Sequence, residues 1–193
     1  MEAAKELFAR QGYEGTTTRE IAQRARVNEA IIFRHFASKE DLYWAIIDKQ
    51  CEAAGWQQTL RRELSSGAPD REIFTRIAEE ILVRRASDTD LSRLLLFSAL
   101  ENPQRSQRFF QAHVVTYYEL IAEYIGKRIE QGVFRAVDPL LAARGFVGMI
   151  VYHSLIQEIY GGKDYQDFDF KQVSATLSDI WLRGMEAHSG PPH

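Results

Sequence analysis

A chain of 193 residues, 45% hydrophobic and 26% charged, can bury one good core or a small module fused to a larger one, which excludes disorder over most of its length. The single cysteine, Cys51, excludes a disulfide framework; no apolar leader and no uncharged run of the roughly 18–20 residues a membrane span needs is present, so a cytoplasmic protein with no membrane partner is expected. The net charge of −3 argues mildly against a nucleic-acid partner, yet Arg19 to Lys39 carries five basic residues against only Glu20 and Glu29.

β-branched alternation is scarce and apolar residues recur at three and four, so the chain reads as all-α. A first helix is predicted over Glu2–Gln11, with Ala4, Leu7 and Phe8 on one face and Gly12 suited to the left-handed position that ends it. Thr17 precedes Glu20 by three, a capping-box spacing that starts a short helix carrying Ile21, Ala22 and Ala25. Asn28 is a natural N-cap for a third helix to about His35. Ser38 with Asp41 repeats the capping logic and opens a longer fourth helix with Leu42, Tyr43, Ile46 and Ile47.

Beyond Trp56 the elements lengthen. A helix to about Leu64 and a Ser-Ser-Gly-Ala-Pro break at 65–69 precede a stripe of Ile73, Phe74, Ile77, Ile81 and Leu82. Asp90–Leu100 is another apolar helix, Asn102-Pro103 reads as a turn, and Phe109–Gln131 reads as one long helix stopped by Gly132. Asp138-Pro139 supplies an N-cap and a first-turn proline for a helix through Tyr160, ended by Gly161-Gly162. A polar loop to Asp169 leads into a last helix with Val173, Leu177, Ile180, Trp181 and Met185 on one face, and the tail at 189–193 is expected to be disordered.

The second and third helices carry the pattern of a helix-turn-helix. The turn is Arg26 to Asn28, and Ile32 and Phe36 face inward with Val27, Ile21 and Ala22. That leaves Glu29, Ala30, Ile31, Phe33 and Arg34 for a major groove: Ile31 beside Ala30 suits thymine methyls, and Glu29 can accept from cytosine N4 or simply complement the helix dipole. Thr18 and Arg19 at the start of the second helix, His35 at the end of the third and Lys39 at the start of the fourth can donate to phosphate. The plainer alternatives are solvated charges for Arg34 and Lys39 and a cap or packing role for His35.

The segment Leu7-Phe8-Ala-Arg-Gln-Gly12-Tyr13-Glu-Gly-Thr16-Thr17-Thr18-Arg19-Glu-Ile21-Ala22, continued by Val27-Asn-Glu-Ala-Ile-Ile-Phe33-Arg34-His35-Phe36-Ala-Ser38-Lys39-Glu40-Asp-Leu42, closely resembles the DNA-binding module of the TetR family. The resemblance implies that Thr18, Arg19, Glu29, Ala30, Ile31, Phe33, Arg34, His35 and Lys39 occupy DNA-contacting positions. It implies a helix-turn-helix module at 1–46, joined by a linker helix to a helical bundle at 47–188 for dimerisation and ligand binding. It also implies a ligand-released repressor that binds a palindromic double-stranded operator as a homodimer. Three departures stand out. Phe33 replaces the usual tyrosine and forgoes a phosphate hydrogen bond; Arg26 replaces the usual glycine; and the chain starts inside the first helix, without the basic arm most relatives carry, so weaker affinity or a truncated start is expected.

One reading helix covers a half-site, and a symmetric dimer places two such helices about 34 Å apart. The helix over 139–160 is apolar on nearly every side. By resemblance, Leu141, Gly145, Gly148 and Tyr152 on it, with Leu177, Trp181 and Met185 on the last helix, form the seam; the alternative is a core helix of a monomer. Phe97, Phe109, Phe110 and His113, with Tyr117 and Tyr118, and Phe146, Tyr152 and His153 further on, are candidate walls of a pocket for an unidentified small-molecule effector, against the plainer reading of core aromatics. His113 and His153 lack a third ligand, so neither metal nor cofactor is expected. Enzyme chemistry is not expected either, since no activated nucleophile or carboxylate pair is recognisable and Cys51 has no nearby histidine. A non-specific helical module is the remaining class.

Overall fold

Capping chemistry decides where most helices begin. In this computed structural model, which describes residues 1–53 and 55–187, the helices in chain order are α1 (Glu2–Gln11), α2 (Thr18–Ala25), α3 (Glu29–His35), α4 (Lys39–Ala53), α5 (Trp56–Leu64) and α6 (Asp70–Ser87). They are followed by α7 (Thr89–Glu101), α8 (Pro103–Phe109), a π-helical turn (Phe110–Val114), α9 (Val115–Glu130), α10 (Pro139–Glu158), the short α11 (Gly162–Tyr165) and α12 (Phe170–Met185). The fold is all-α; among the described residues β pairing is confined to an isolated bridge between Phe134 and Glu186. The tail expected at 189–193 lies outside the described residues.

The predicted caps form. Thr17 Oγ1 accepts from the Glu20 amide at 3.2 Å while Glu20 Oε2 accepts from the Thr17 amide at 2.8 Å, closing the capping box. Asn28 Oδ1 accepts from Ala30 N at 2.9 Å, Ser38 Oγ from Asp41 N at 3.0 Å and Asp138 Oδ1 from Leu141 N at 2.7 Å. Two sequence expectations change. Asn102-Pro103 is not a mere turn: Asn102 Oδ1 accepts from Gln104 N at 2.9 Å, and Pro103 opens α8. Nor is Phe109–Gln131 one helix, because the backbone widens to π-helical spacing at Phe110–Val114 before α9 begins.

The chain divides into two compact units, residues 1–56 with 88–113, and residues 57–87 with those from 114 on. The first unit is therefore discontinuous and takes in α7 and α8, which lie beyond the boundary expected at 46. Its core joins Ala4, Phe8, Ile21, Ile32, Leu42, Tyr43, Ile47 and Leu94, with Cys51 packed at the margin. Tyr43 meets Phe8 and Tyr13 edge-on, each with ring centroids 5.4 Å apart. Polar contacts fasten α7 and α8 to α1 and its following turn: Lys5 Nζ lies 3.3 Å from Asp88, and Glu101 Oε2 accepts from Tyr13 N at 3.0 Å. The Arg105 guanidinium sits 3.6 Å over the Tyr13 ring and 3.3 Å from Glu14. Gly12 has φ +77°, so the backbone demands glycine, and a Cβ there would push the Glu101 carboxylate off Tyr13 N.

The second unit is built around Phe74 of α6, whose ring lies 4.9 Å from Phe146 of α10 and 4.5 Å from Trp181 of α12. Asp70 at the start of α6 accepts from Tyr124 Oη at 2.5 Å and from Arg128 at 2.6 Å, which ties it to the end of α9. α10, at 20 residues and mean hydropathy 1.4, is long and apolar enough to cross a membrane by length and composition, although Arg144 interrupts it. In the structure one stripe, Ala143, Phe146, Val147 and Ile150, is buried within the unit, and α10 packs on α6, α9 and α12.

Candidate nucleic-acid interface

The face of α3 is produced by how α2 ends. α2 buries Ile21 and Ala22, and Arg26 then adopts the left-handed conformation (φ 55°, ψ 42°), which aims the chain into the next cap. Val27 N donates to Ala22 O at 3.0 Å and Asn28 starts α3 at once. Within α3 only Ile32 is buried, at 7% exposure, and it holds the helix to the core. Ile31 is 41% and Phe33 49% exposed, and Ala30, Arg34, His35 and Arg19 are also on the surface. Val27, expected to face inward, is 39% exposed, because the αL turn carries it away from Ile21; Phe36 packs partly against the core as expected.

Thr18, Glu29 and Lys39 have internal partners. Thr18 Oγ1 donates to Glu29 Oε1 at 2.5 Å, pinning the start of α2 to the start of α3. That bond fixes the Glu29 carboxylate and occupies one of its oxygens. Lys39 Nζ donates to Tyr13 O at 2.9 Å and to Thr16 O at 2.8 Å, and lies 4.1 Å over the Tyr13 ring. The ammonium thus braces the turn after α1, and what the start of α4 offers an anion is chiefly backbone N–H. Glu101 and Arg105, which hold the Tyr13–Glu14 turn, were not among the sequence candidates. They stand 88 and 91 residues away in the chain from their partners, and no local pattern announces such a pairing.

The nine aromatic and histidine candidates for a pocket fall into different units. Phe97, Phe109, Phe110 and His113 belong to the first, and Tyr117, Tyr118, Phe146, Tyr152 and His153 to the second. Phe109 packs on the first unit's core and on His113, whose Nε2 lies 3.0 Å from Asp48 Oδ1. Phe146 is no pocket wall: it is wholly buried in the aromatic centre with Phe74 and Trp181. Burial raises the pKa of the Tyr117 phenol well above its ordinary value. His153 faces Phe168 at 5.8 Å, and burial lowers its pKa while Glu158 pulls the other way.

On α10, Leu141 (69% exposed), Gly145, Gly148 and Tyr152 (64% exposed) recur at four, three and four, so they form one uncovered stripe, and nothing crowds either glycine. On α12 the expectation needs correction. Trp181 and Met185 are buried inside the unit, the indole donating to Ala142 O at 3.2 Å, and Leu177 is half-buried. The outward position is Ile180, 56% exposed, which the sequence reading placed on the apolar face but not in the seam. Adjacent residues on a helix diverge by about 100°, so a stripe containing both Ile180 and Trp181 cannot say which one points out.

Two family models match the chain: "Bacterial regulatory proteins, tetR family" over residues 1–46, and "AefR-like transcriptional repressor, C-terminal domain" over residues 72–176. YfiR of Bacillus subtilis (strain 168), an uncharacterized HTH-type transcriptional regulator, is 27% identical over 157 residues, covering 77% of this chain and 73% of that protein. YvkB of the same organism, likewise an uncharacterized HTH-type regulator, is 42% identical over 55 residues; that match covers 28% of this chain and only 29% of the relative. Among solved structures, the transcriptional regulator FadR from Bacillus subtilis in complex with stearoyl-CoA aligns with a TM-score of 0.72 at 20% identity, covering 95% of this chain and 96% of that one.

Proposed function

Because the chain belongs to the tetR family of bacterial regulatory proteins, we propose that it is a DNA-binding transcriptional regulator, a cytoplasmic repressor that grips a palindromic operator as a homodimer and is released by a small effector. The observation that carries this reading is the exposed face of α3. A seven-residue helix that leaves Ile31 and Phe33 in solvent, beside Ala30, Arg34 and His35, is poorly explained as surface and well explained as a groove-reading element. Ile31 and Ala30 would take thymine methyls; Arg19, Arg34 and His35, with Thr18 and the amides at the start of α4, would hold phosphates. Glu29 would orient α3 through Thr18 and accept from cytosine with its second oxygen.

The dimer rests on α10. Its stripe of Leu141, Gly145, Gly148 and Tyr152 is open and long, and Ile180 adds a third exposed large side chain from α12. Two copies related by a two-fold axis would cover it with each other. The domain division proposed is a DNA-reading module over 1–46, and effector binding and dimerisation in the remainder. That a small molecule acts on this chain is supported by FadR, whose structure is a complex with stearoyl-CoA.

Selection of random duplex DNA on the purified protein at two salt concentrations, with light scattering on the same sample, tests the reading. An enriched inverted repeat bound by a dimer is expected, and Ile31→Ala should change which bases win at one position in each half-site, by about 1–3 kcal/mol of discrimination. Salt-sensitive binding with no enriched sequence would overturn it.

A further inference from the structure

We infer that the second unit carries an anion site, in which Arg85, with Ser154 and Gln157, takes the head group of an organic acid or phosphate ester; this rests on the regulator reading and names the class of effector. Gly126 of α9 lies against Pro139 at the start of α10, with 3.9 Å from its ideal Cβ to Pro139 Cγ, and Asp70 at the start of α6 bonds Tyr124 and Arg128 at the same end of α9. The starts of α6 and α10 therefore lie at one end of the unit, and the two helices run the same way. Phe74 on α6 faces Phe146 on α10 at 4.9 Å. Eleven residues on, about three whole turns, both helices present the same faces again, and the residues there are Arg85 and Gln157. Ser154 lies one turn before Gln157 on the same buried stripe.

All three carry buried polar atoms with no hydrogen-bond partner among the described residues: Arg85 Nε, Ser154 Oγ and Gln157 Oε1. Ser154 is 4% and Gln157 9% exposed. Arg85 is half-buried with its Nε shut off from water, and partly desolvating a guanidinium without an acid is unfavourable, so such groups are retained where something charged meets them. Two acids of these helices are paired with other cations. Glu80 is paired with Arg84, and Glu158 with Lys163 at 2.7 Å. Burial lowers the pKa of Arg85, and no carboxylate acts to raise it again. The guanidinium stays charged at physiological pH nonetheless. Planar donors on Arg85, a hydroxyl that both donates and accepts, and an amide NH2 beside the buried Gln157 carbonyl match the fork of a carboxylate or the oxygens of a phosphate.

The test uses the full chain with octanoate, octyl phosphate and uncharged octanol as probes, read by thermal shift and by tryptophan fluorescence titration. At least one anion should bind about tenfold or more tighter than octanol, and which of the two is tighter identifies carboxylate or phosphate as the head group. Arg85→Met should raise the Tm of the free protein, because it removes a partly desolvated charge with no acid beside it, and erase the advantage of the anions; Arg85→Lys should retain part of it. Gln157→Leu, which leaves the arginine in place, should weaken the anions more than octanol and is the second readout if Arg85→Met fails to fold. Octanol binding as well as both anions, a lowered Tm for folded Arg85→Met, or unchanged anion binding by that variant would overturn the inference. Operator binding separates the two readings. A wild-type protein that selects an operator and is indifferent to both anions overturns the anion site alone, whereas one that selects no sequence overturns the regulator.

Discussion

Both compact units leave large apolar side chains in solvent, but their polar groups are arranged differently. In the first, the polar side chains that shape the reading face are paired close by in the chain, Thr17 with Glu20, Asn28 with Ala30 and Ser38 with Asp41, while large apolar side chains, Ile31 and Phe33, stand in solvent. In the second, polar atoms of Ser154, Gln157, Ser178 and Arg85 are buried without partners, against Tyr43 Oη and Arg105 Nε in the first, and Leu141, Tyr152 and Ile180 lie outside. Each inversion is costly in isolation and marks a surface or an interior meant for something else. A face that reads DNA must be exposed and rigid, and local caps achieve that. A ligand site must be buried, and it is assembled from helices far apart in sequence.

The largest effect is expected at the centre of the second unit. Phe74→Ala removes the ring that Phe146, Trp181 and Tyr124 share, and is expected to cost about 3–5 kcal/mol in denaturant unfolding. A loss below about 1 kcal/mol would mean that the aromatic centre is not what holds this unit together.

A smaller effect, of opposite sign, is expected in the first unit. Arg26 is the only non-glycine among the described residues with positive φ, and Arg26→Gly should relieve about 1 kcal/mol of strain in the same unfolding measurement. If Arg26 is retained for a phosphate, the variant should also lower the salt slope of operator binding by about 1. Unchanged stability would show that the turn accommodates arginine without strain.

The smallest effect is a pH dependence confined to the second unit. Burial lowers the pKa of His153 in the folded chain below its ordinary 6.5, so the unfolded chain binds the proton more readily. Stability from this group is therefore fully present above about pH 6.5 and is lost as pH falls through the lowered value. His153→Gln should flatten the decline of Tm between neutral pH and pH 5, and an unaltered slope would assign that decline to other groups.

Asn102-Pro103 and Asp138-Pro139 show where sequence reading stops. Both pairs are an N-cap followed by a first-turn proline, and both open a helix. Only the second is legible as a helix start in the sequence, because twenty apolar-rich residues follow it, whereas α8 is seven residues of Pro-Gln-Arg-Ser-Gln-Arg-Phe with no stripe. α8 is held by tertiary contacts instead, through Arg105 with Glu14 and Tyr13, and short polar helices depend on such contacts.

The helix-turn-helix was legible down to its caps, its buried Ile32 and most of its exposed face, since spacing, capping residues and a turn of three residues act within a few positions of one another. The all-α class followed from periodicity in the same way. Tertiary structure alone decided that Lys39 braces the turn after α1, that Trp181 and Met185 turn inward while Ile180 turns out, and that Phe146 belongs to a core. These outcomes depend on which face of a helix meets which neighbour, and a one-dimensional apolar period constrains that rotation only to within about one residue, or 100°.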